Sequence, residues 1–486
     1  MGSVLGNLKP AIVWNQFEEI CKQPRPSKKE EKIAEYVYSV GKKLNLDTIR
    51  DSFGNVIIRK PATPGKENLK TVVLQGHLDM VAEKNRGVVH DFEKDPIEPY
   101  VDGEWVKAKG TTLGADNGIG VAAALAIMED TTIEHGPVEC LFTLDEETGL
   151  TGAVNLQPGL LKASILLNLD SEEEGILYIG CAGGKNTEAK FNYKKEAVPA
   201  DSVSLEVKVL GLQGGHSGLE INQGRGNAIK IITRLLWNAR KQFGVKLAKI
   251  EGGNKHNAIP REAFAVVTLP KANEAAFLKY VEEFNGIVKN ELASVEKTLE
   301  VSTEKFDMPA NIIDENTQKK LLCALYALPH GVLKMSADIQ GLVETSTNLA
   351  TIVTSENSID IVTSQRSSVG SENEDASNMV AAAFHLGDAE VSTGDGYPSW
   401  QPNIHSEILG IVKNTYTKLF GSEPKVEAIH AGLECGIISE KYPDLDMISF
   451  GPTMVGVHSP AERLKIDTVD NFYKLLCNIL LNIPQK

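Results

Sequence analysis

With 486 residues, 42% of them hydrophobic and 24% charged, the chain is too long for one simple core and has the composition of an ordinary folded protein, so two domains are the first expectation. Fifty basic against 65 acidic residues leave a net charge of −15, and with no basic run this argues against nucleic acid as a partner. No apolar run reaches ~18 residues and the N-terminus lacks a charged n-region with a long apolar stretch, so neither a membrane span nor a signal peptide is expected.

Ser27-Lys28-Lys29-Glu30 reads as a capping box after Pro26, opening a helix with Ile33, Tyr36, Val37 and Val40 on one face. Strands are expected at 55–58 and 71–74, a helix of small residues at 118–128, then strands at 138–144 and 164–169. Strands alternating with helices predict an α/β fold, an open and mostly parallel sheet with helices on both faces. The character changes after Gly180-Cys181-Ala182-Gly183-Gly184. Residues 202–209 alternate apolar and polar, as a strand with one wet face does. Helices at 226–242 and 272–297 flank a strand at 263–269. A helix at 316–327 precedes strands near 340–345, 350–354 and 359–364, and another helix covers 372–385. This middle stretch predicts an inserted α+β domain. A helix over 404–420, short strands at 426–429 and 447–450 and a C-terminal helix then return to the first domain. The expected organisation is one domain at 1–185 and 398–486, interrupted by a second at 186–397. The six cysteines are scattered with no Cys-x-x-Cys, which suits a reducing, cytoplasmic setting.

Five of these loops and strand ends carry titratable groups. Leu144-Asp145-Glu146-Glu147-Thr148-Gly149 places adjacent carboxylates after a buried strand, where like charges repel unless a cation offsets them. One of the two glutamates could then be a ligand and its neighbour a general base. Gly76-His77-Leu78-Asp79 delivers an imidazole with a carboxylate two residues on, able to hold its second nitrogen. Asp116 opens a helix after a Gly-rich turn, and taken alone it could be an N-cap. Asp170 ends another apolar strand, and His458 follows 447–450 through a Gly/Pro loop. In open α/β sheets ligands bind at the carboxyl ends of the strands. Mixed imidazole and carboxylate donors suit zinc, with manganese or cobalt as substitutes. There are too many for one tetrahedral ion, but enough for two divalent ions sharing a bridging carboxylate.

These motifs resemble the di-zinc peptidase clan that includes aminoacylase and glutamate carboxypeptidase. The segments 76–81, 113–120, 145–147, 168–172 and 180–184 are similar to its branch of bacterial Xaa-His dipeptidases, over nearly the whole chain. The resemblance implies that Asp116 bridges, with His77 and Asp170 completing one metal and Glu147 and His458 the other. It also implies that Asp79 orients His77, that Glu146 is the general base, and that the peptide between residues 116 and 117 is cis. Asn117 stands where many relatives have a second Asp. The inserted domain resembles the clan's lid, and its glycine-flanked tip Gly214-Gly215-His216-Ser217-Gly218, flexible by its sequence, resembles a dimer-contact motif whose histidine reaches the partner's metal centre. Asn257 in Asn254-Lys255-His256-Asn257-Ala258-Ile259-Pro260 resembles a substrate contact, as do Arg366 and Gly432 of the segment His430-Ala431-Gly432-Leu433-Glu434. Without the resemblance, His216 reads as a turn histidine and Arg366 as a surface cation on an edge strand. The implied function is metal-dependent hydrolysis of dipeptides with a free N-terminus by a cytoplasmic homodimer joined through its lids. The rivals are an amidohydrolase acting on N-acyl amino acids and a non-catalytic binding protein on the same scaffold.

Overall fold

The computed structural model of the protein describes residues 4–486, which divide into two compact units. The first runs through Gly180, resumes at Pro402–Ala428 and closes with Leu433–Lys486. The second is Cys181–Gln401 together with the four residues Ile429–Gly432, which the sequence groups with 398–486. Among the described residues no helix is long and apolar enough to cross a membrane.

An eight-stranded sheet forms the centre of the first unit. Its order is Asp47–Arg50, Val56–Lys60, Val138–Thr143, Val72–His77, Ile165–Asn168, Asp446–Ser449, Ile176–Cys181 and Lys425–Ile429. The four strands from Val138–Thr143 to Asp446–Ser449 are parallel, and antiparallel pairs extend the sheet beyond them. Val72–His77 and Val138–Thr143 are buried along their whole length, which is why they read as mostly apolar, broken by Gln75 and Glu139, rather than as alternating strands with one wet face. Their register sets His77 beside Thr143, and Gln75 lies beside Asn168 of the third strand. The helix Ala115–Glu129 is almost wholly buried, and its Ala, Gly and Val side chains let it lie close on Val72–His77. A side chain at Gly76 would collide with the amide of Asn117, so this close approach requires glycine.

In the second unit a nine-stranded antiparallel sheet is covered by the helices Ala228–Phe243, Glu274–Glu291, Glu315–Ala327 and Gly370–Leu386 around one apolar core. Ser202–Leu210 alternates as its sequence predicts. The strands expected at 340–345 and 350–354 are one strand, Val343–Thr354, with a bulge between Leu349 and Thr351. Its polar middle, Thr345 to Asn348, lies inside the protein. Those side chains are paired: Thr347 accepts from Gln365 (3.1 Å), Thr345 meets Ser367 (2.9 Å), and Asn348 donates to the Ala258 carbonyl (2.8 Å). Buried polar groups with partners fit a core, and local hydropathy misses this.

Candidate metal centre

His77 ends its strand with the ring wholly buried, and Nε2 lies 3.1 Å from Asp116 Oδ1 and 3.3 Å from Asp170 Oδ1. Asp79 Oδ1 faces the other nitrogen, Nδ1, at 3.3 Å. A carboxylate there favours the proton on Nδ1 and leaves Nε2 free to face the other two acids. Asp79 is itself fixed: Oδ1 accepts from the Glu146 amide (3.0 Å), and Oδ2 from Ser27 Oγ (2.8 Å) and the Glu147 amide (3.2 Å). This corrects the capping box. The helix Glu31–Lys43 has no side-chain cap, because Ser27 is drawn to Asp79, while Glu30 accepts from the amides of Lys28 and Asp145.

On the other side of Asp116, Oδ2 lies 3.0 Å from His458 Nε2, which is also 3.0 Å from Glu147 Oε2. Each oxygen of Asp116 therefore serves a different imidazole. His77, Asp116 and Asp170 form one group and Asp116, Glu147 and His458 a second, each with its donor atoms within 4.8 Å of one another. His77, Glu146 and Glu147 converge in the same way, which puts Glu146 at the same centre. The helix beginning at Ala115 has no side-chain cap, so the Asp116 carboxylate is not spent as an N-cap. The Asp116–Asn117 peptide is cis, and Asn117 donates to the Leu169 carbonyl at 2.7 Å.

The charges explain what the cluster can hold. Burial pushes Asp170 up to about 7 against the pull of His77, and burial with Asp170, Glu434 and Glu147 nearby holds Glu146 well above the usual carboxylate range. Burial also works against ionised Asp116, yet its bonds to His458 and His77 hold its pKa well below the ordinary value. His458 is driven up to about 11 by Asp116 and Glu147. Glu147 Oε1 and Asp170 Oδ1 are buried without an aligned hydrogen-bond donor. Four crowded carboxylates, two imidazoles and orphaned buried oxygens fit two divalent cations, and the nitrogen–oxygen donor set suits zinc-like ions. The nearby acids Glu30, Asp79 and Asp145 also converge, but backbone amides and hydroxyls take up their oxygens.

Sequence reasoning gave no role to several residues behind the site. Glu434, buried beside the strand ends, accepts from Gln75 (2.6 Å) and Thr143 (2.7 Å), and burial pushes its carboxyl up to about 7. Asn168 donates to Gln75 at 2.5 Å. A signal existed for part of this chain: Gln75 sits two residues before His77 on the same face of its strand, and Asn168 ends its strand two residues before Asp170. Glu462 and Arg25, which hold the loop before Asp116, carry no comparable local signature.

In the second unit the structure brings His216, Arg366, Tyr397 and His430 together. The sequence suggests a flexible tip at His216, but Gly215–His216 pairs with Ala258–Ile259, and His216 Nδ1 accepts from the amides of Gly218 (3.1 Å) and Leu219 (3.0 Å). The remaining proton is therefore on Nε2, a donor, and burial with Arg366 nearby lowers the ring's pKa to about 4. Arg366 is 7% exposed on a strand paired on both sides, not on an edge, and Nη1 donates to Tyr397 Oη at 2.6 Å. His430 bonds Ser346 at 2.7 Å, and a side chain at Gly432 would strike the Tyr397 ring. Asn257 has an exposed side chain, and its carbonyl accepts from the Ser217 amide at 2.9 Å.

The chain is similar in sequence and fold to known proteins. The cytosol non-specific dipeptidase of Escherichia coli K12 is 43% identical over 484 residues, 100% of both chains. The crystal structure of aminoacylhistidine dipeptidase from Vibrio alginolyticus superposes with a TM-score of 0.94 at 44% identity, covering 99% of this chain and 98% of that one. Aminopeptidase PepT from Bacillus cereus shares the fold alone, with a TM-score of 0.57 at 15% identity over 97% of this chain and 98% of its own. The sequence profile of peptidase family M20/M25/M40 matches residues 73–482, the stretch that contains His77, Asp116, Glu146, Glu147, Asp170 and His458. The chain belongs to peptidase family M20/M25/M40.

Proposed function

We propose that the protein is a metallo-dipeptidase that hydrolyses dipeptides with a free N-terminus, Xaa-His among them. The observation that carries this reading is Asp116, which turns one carboxylate oxygen toward each of two imidazole–carboxylate groups, with Glu146 beside both. His77, Asp116 and Asp170 would hold one ion, and Asp116, Glu147 and His458 the other; zinc suits these donors best, with manganese or cobalt as substitutes. Two such ions supply Lewis acidity and ease deprotonation of the attacking water.

The chain's own residues do the rest. Glu146, whose carboxyl burial holds at a raised pKa, is suited to take the proton of the attacking water and return it to the leaving amine. Asp79 keeps His77 in the orientation described above. His216, neutral with its proton on Nε2, is suited to donate to a developing oxyanion, and Arg366 to grip a carboxylate. Asn257 and Gly432 complete the substrate-binding set. We infer a homodimer joined through the second unit, with His216 serving the partner's site, and a cytoplasmic location. Six cysteines without a disulfide and the cytosolic name of the E. coli relative support that location.

A panel of free dipeptides and their N-acetylated forms, assayed with added zinc, manganese or cobalt, tests the reading. Cleavage of the free-amine peptides with metal bound is expected. Preference for the N-acetylated forms would instead make the protein an amidohydrolase, and no bound metal with no turnover would leave a binding protein.

A further inference from the structure

Two buried, oppositely charged side chains from far ends of the chain hold the loop that carries Asp116. Glu462 is 2% exposed; its Oε2 accepts from the amides of Leu113 (2.7 Å) and Gly114 (2.9 Å), and its Oε1 from those of Ala115 (2.7 Å) and Asp116 (3.3 Å). Four successive backbone donors on one carboxylate make an anion nest filled from within the protein. Arg25, as deeply buried, donates from Nη1 to the carbonyls of Leu78 (3.1 Å) and Asp79 (3.0 Å), and from Nη2 to that of Gly114.

Glu462 also belongs to the turn that presents His458. Ser459 Oγ donates to the Gly456 carbonyl (2.7 Å) and accepts from the Ala461 amide (3.2 Å), while the Glu462 amide donates to the Ser459 carbonyl (3.0 Å). His458 itself has a left-handed backbone with φ +60° and a side chain that is 50% exposed. The two groups around Asp116 therefore rest on different supports. In the first, His77 ends a buried strand and Asp170 closely follows another. In the second, His458 depends on a surface turn whose far end is tied to the Asp116 loop.

We propose that Glu462 is a positioning residue: it fixes His458 against Asp116 and so sets the affinity of the second ion, at Asp116, Glu147 and His458, more than that of the first. The proposal rests on the two-ion reading above.

The test titrates metal-free protein with zinc against a chromophoric chelator. Wild type is expected to take up two ions. Glu462→Gln keeps the shape but turns one oxygen into a donor that faces two amides. It should bind the first ion within ~3-fold of wild type and the second at least ~10-fold more weakly, the scale of disturbing an outer partner of a metal ligand. Glu462→Asp keeps the charge and should recover part of that loss; it also carries the test if the Gln variant fails to fold. Glu139→Gln is the structural control. Glu139 is an equally buried glutamate of the same unit, accepting from the amides of Lys162 (2.8 Å) and Ala163 (3.0 Å) and from Arg59 Nε (2.9 Å), away from the metal residues. It should lower the melting temperature and leave both affinities unchanged. Unchanged second-ion affinity in Glu462→Gln, or an equal loss in Glu139→Gln, would overturn the proposal. Wild-type protein that takes up no second ion would overturn the two-ion reading itself, and the proposal with it.

Discussion

Replacing Asp79 by asparagine removes a charge from the protein interior with almost no change in shape, and the structure says what that costs. The carboxylate has three hydrogen-bond donors, Ser27 Oγ, the Glu146 amide and the Glu147 amide, and a fourth contact with His77 Nδ1. An asparagine has one acceptor oxygen. If that oxygen stays toward His77 and the Glu146 amide, the NH2 group faces Ser27 and the Glu147 amide. Ser27 can turn its hydroxyl to accept, so one buried backbone donor is left without a partner, a loss of ~1–3 kcal/mol. The opposite orientation strands the Glu146 amide and sets a donor against the imidazole, which is worse. His77 meanwhile exchanges an anionic neighbour for a neutral one, which weakens its hold on a cation by ~10–100-fold. Urea unfolding of the metal-free protein should show the stability loss, and chelator competition should show weaker binding at the His77 group. Asp79→Asn with wild-type metal affinity would refute the idea that Asp79 works through His77.

Glu146→Gln should nearly abolish turnover, by ~10²–10⁴-fold or more, while mass spectrometry finds metal content unchanged; activity within a few-fold of wild type would remove Glu146 as the base. Arg366→Lys should raise KM, because a point charge cannot reproduce a guanidinium fork, and C-terminally amidated dipeptides should be poor substrates of the wild type. Equal cleavage of free and amidated dipeptides would end that assignment. His216→Ala should lower kcat by ~10²-fold or more. Mixing it with Glu146→Gln subunits should restore part of the activity if one protomer's His216 serves the other's site; proven subunit exchange with no recovery would exclude sharing.

Three of the residues around Asp116 were legible because they end apolar runs, and a charged group at the end of a buried strand is costly enough to need a reason. His77, Asp170 and Glu147 announce themselves in this way. Ser27 and Glu30 mislead for the opposite reason: their spacing fits a local cap, but Ser27 bonds to Asp79, and Glu30 accepts from the distant amide of Asp145 as well as from that of Lys28. Glu462 is silent because its four partners lie nearly 350 residues away, and nothing near residue 462 records them. Val343–Thr354 hides as one strand because its interior is Thr, Ser and Asn, held by pairings that hydropathy cannot register. At His216 the glycines suggest freedom, whereas the pairing with Ala258–Ile259 removes it.

The placement of Asp446–Ser449 bears on how the protein can be made. This strand lies between Ile165–Asn168 and Ile176–Cys181, so the sheet of the first unit has a gap in its middle until residue 449 has left the ribosome. By then Cys181–Gln401 has been fully synthesised and can pack its own core. A nascent chain halted near residue 440 would thus carry a folded Cys181–Gln401 segment and two unpaired, apolar strand edges. Those edges are the kind of surface that chaperones shield and that otherwise joins one unfinished chain to another. Pairings this distant in sequence also make assembly of the first unit the slow step, since the closure of a long loop must precede any contact that rewards it.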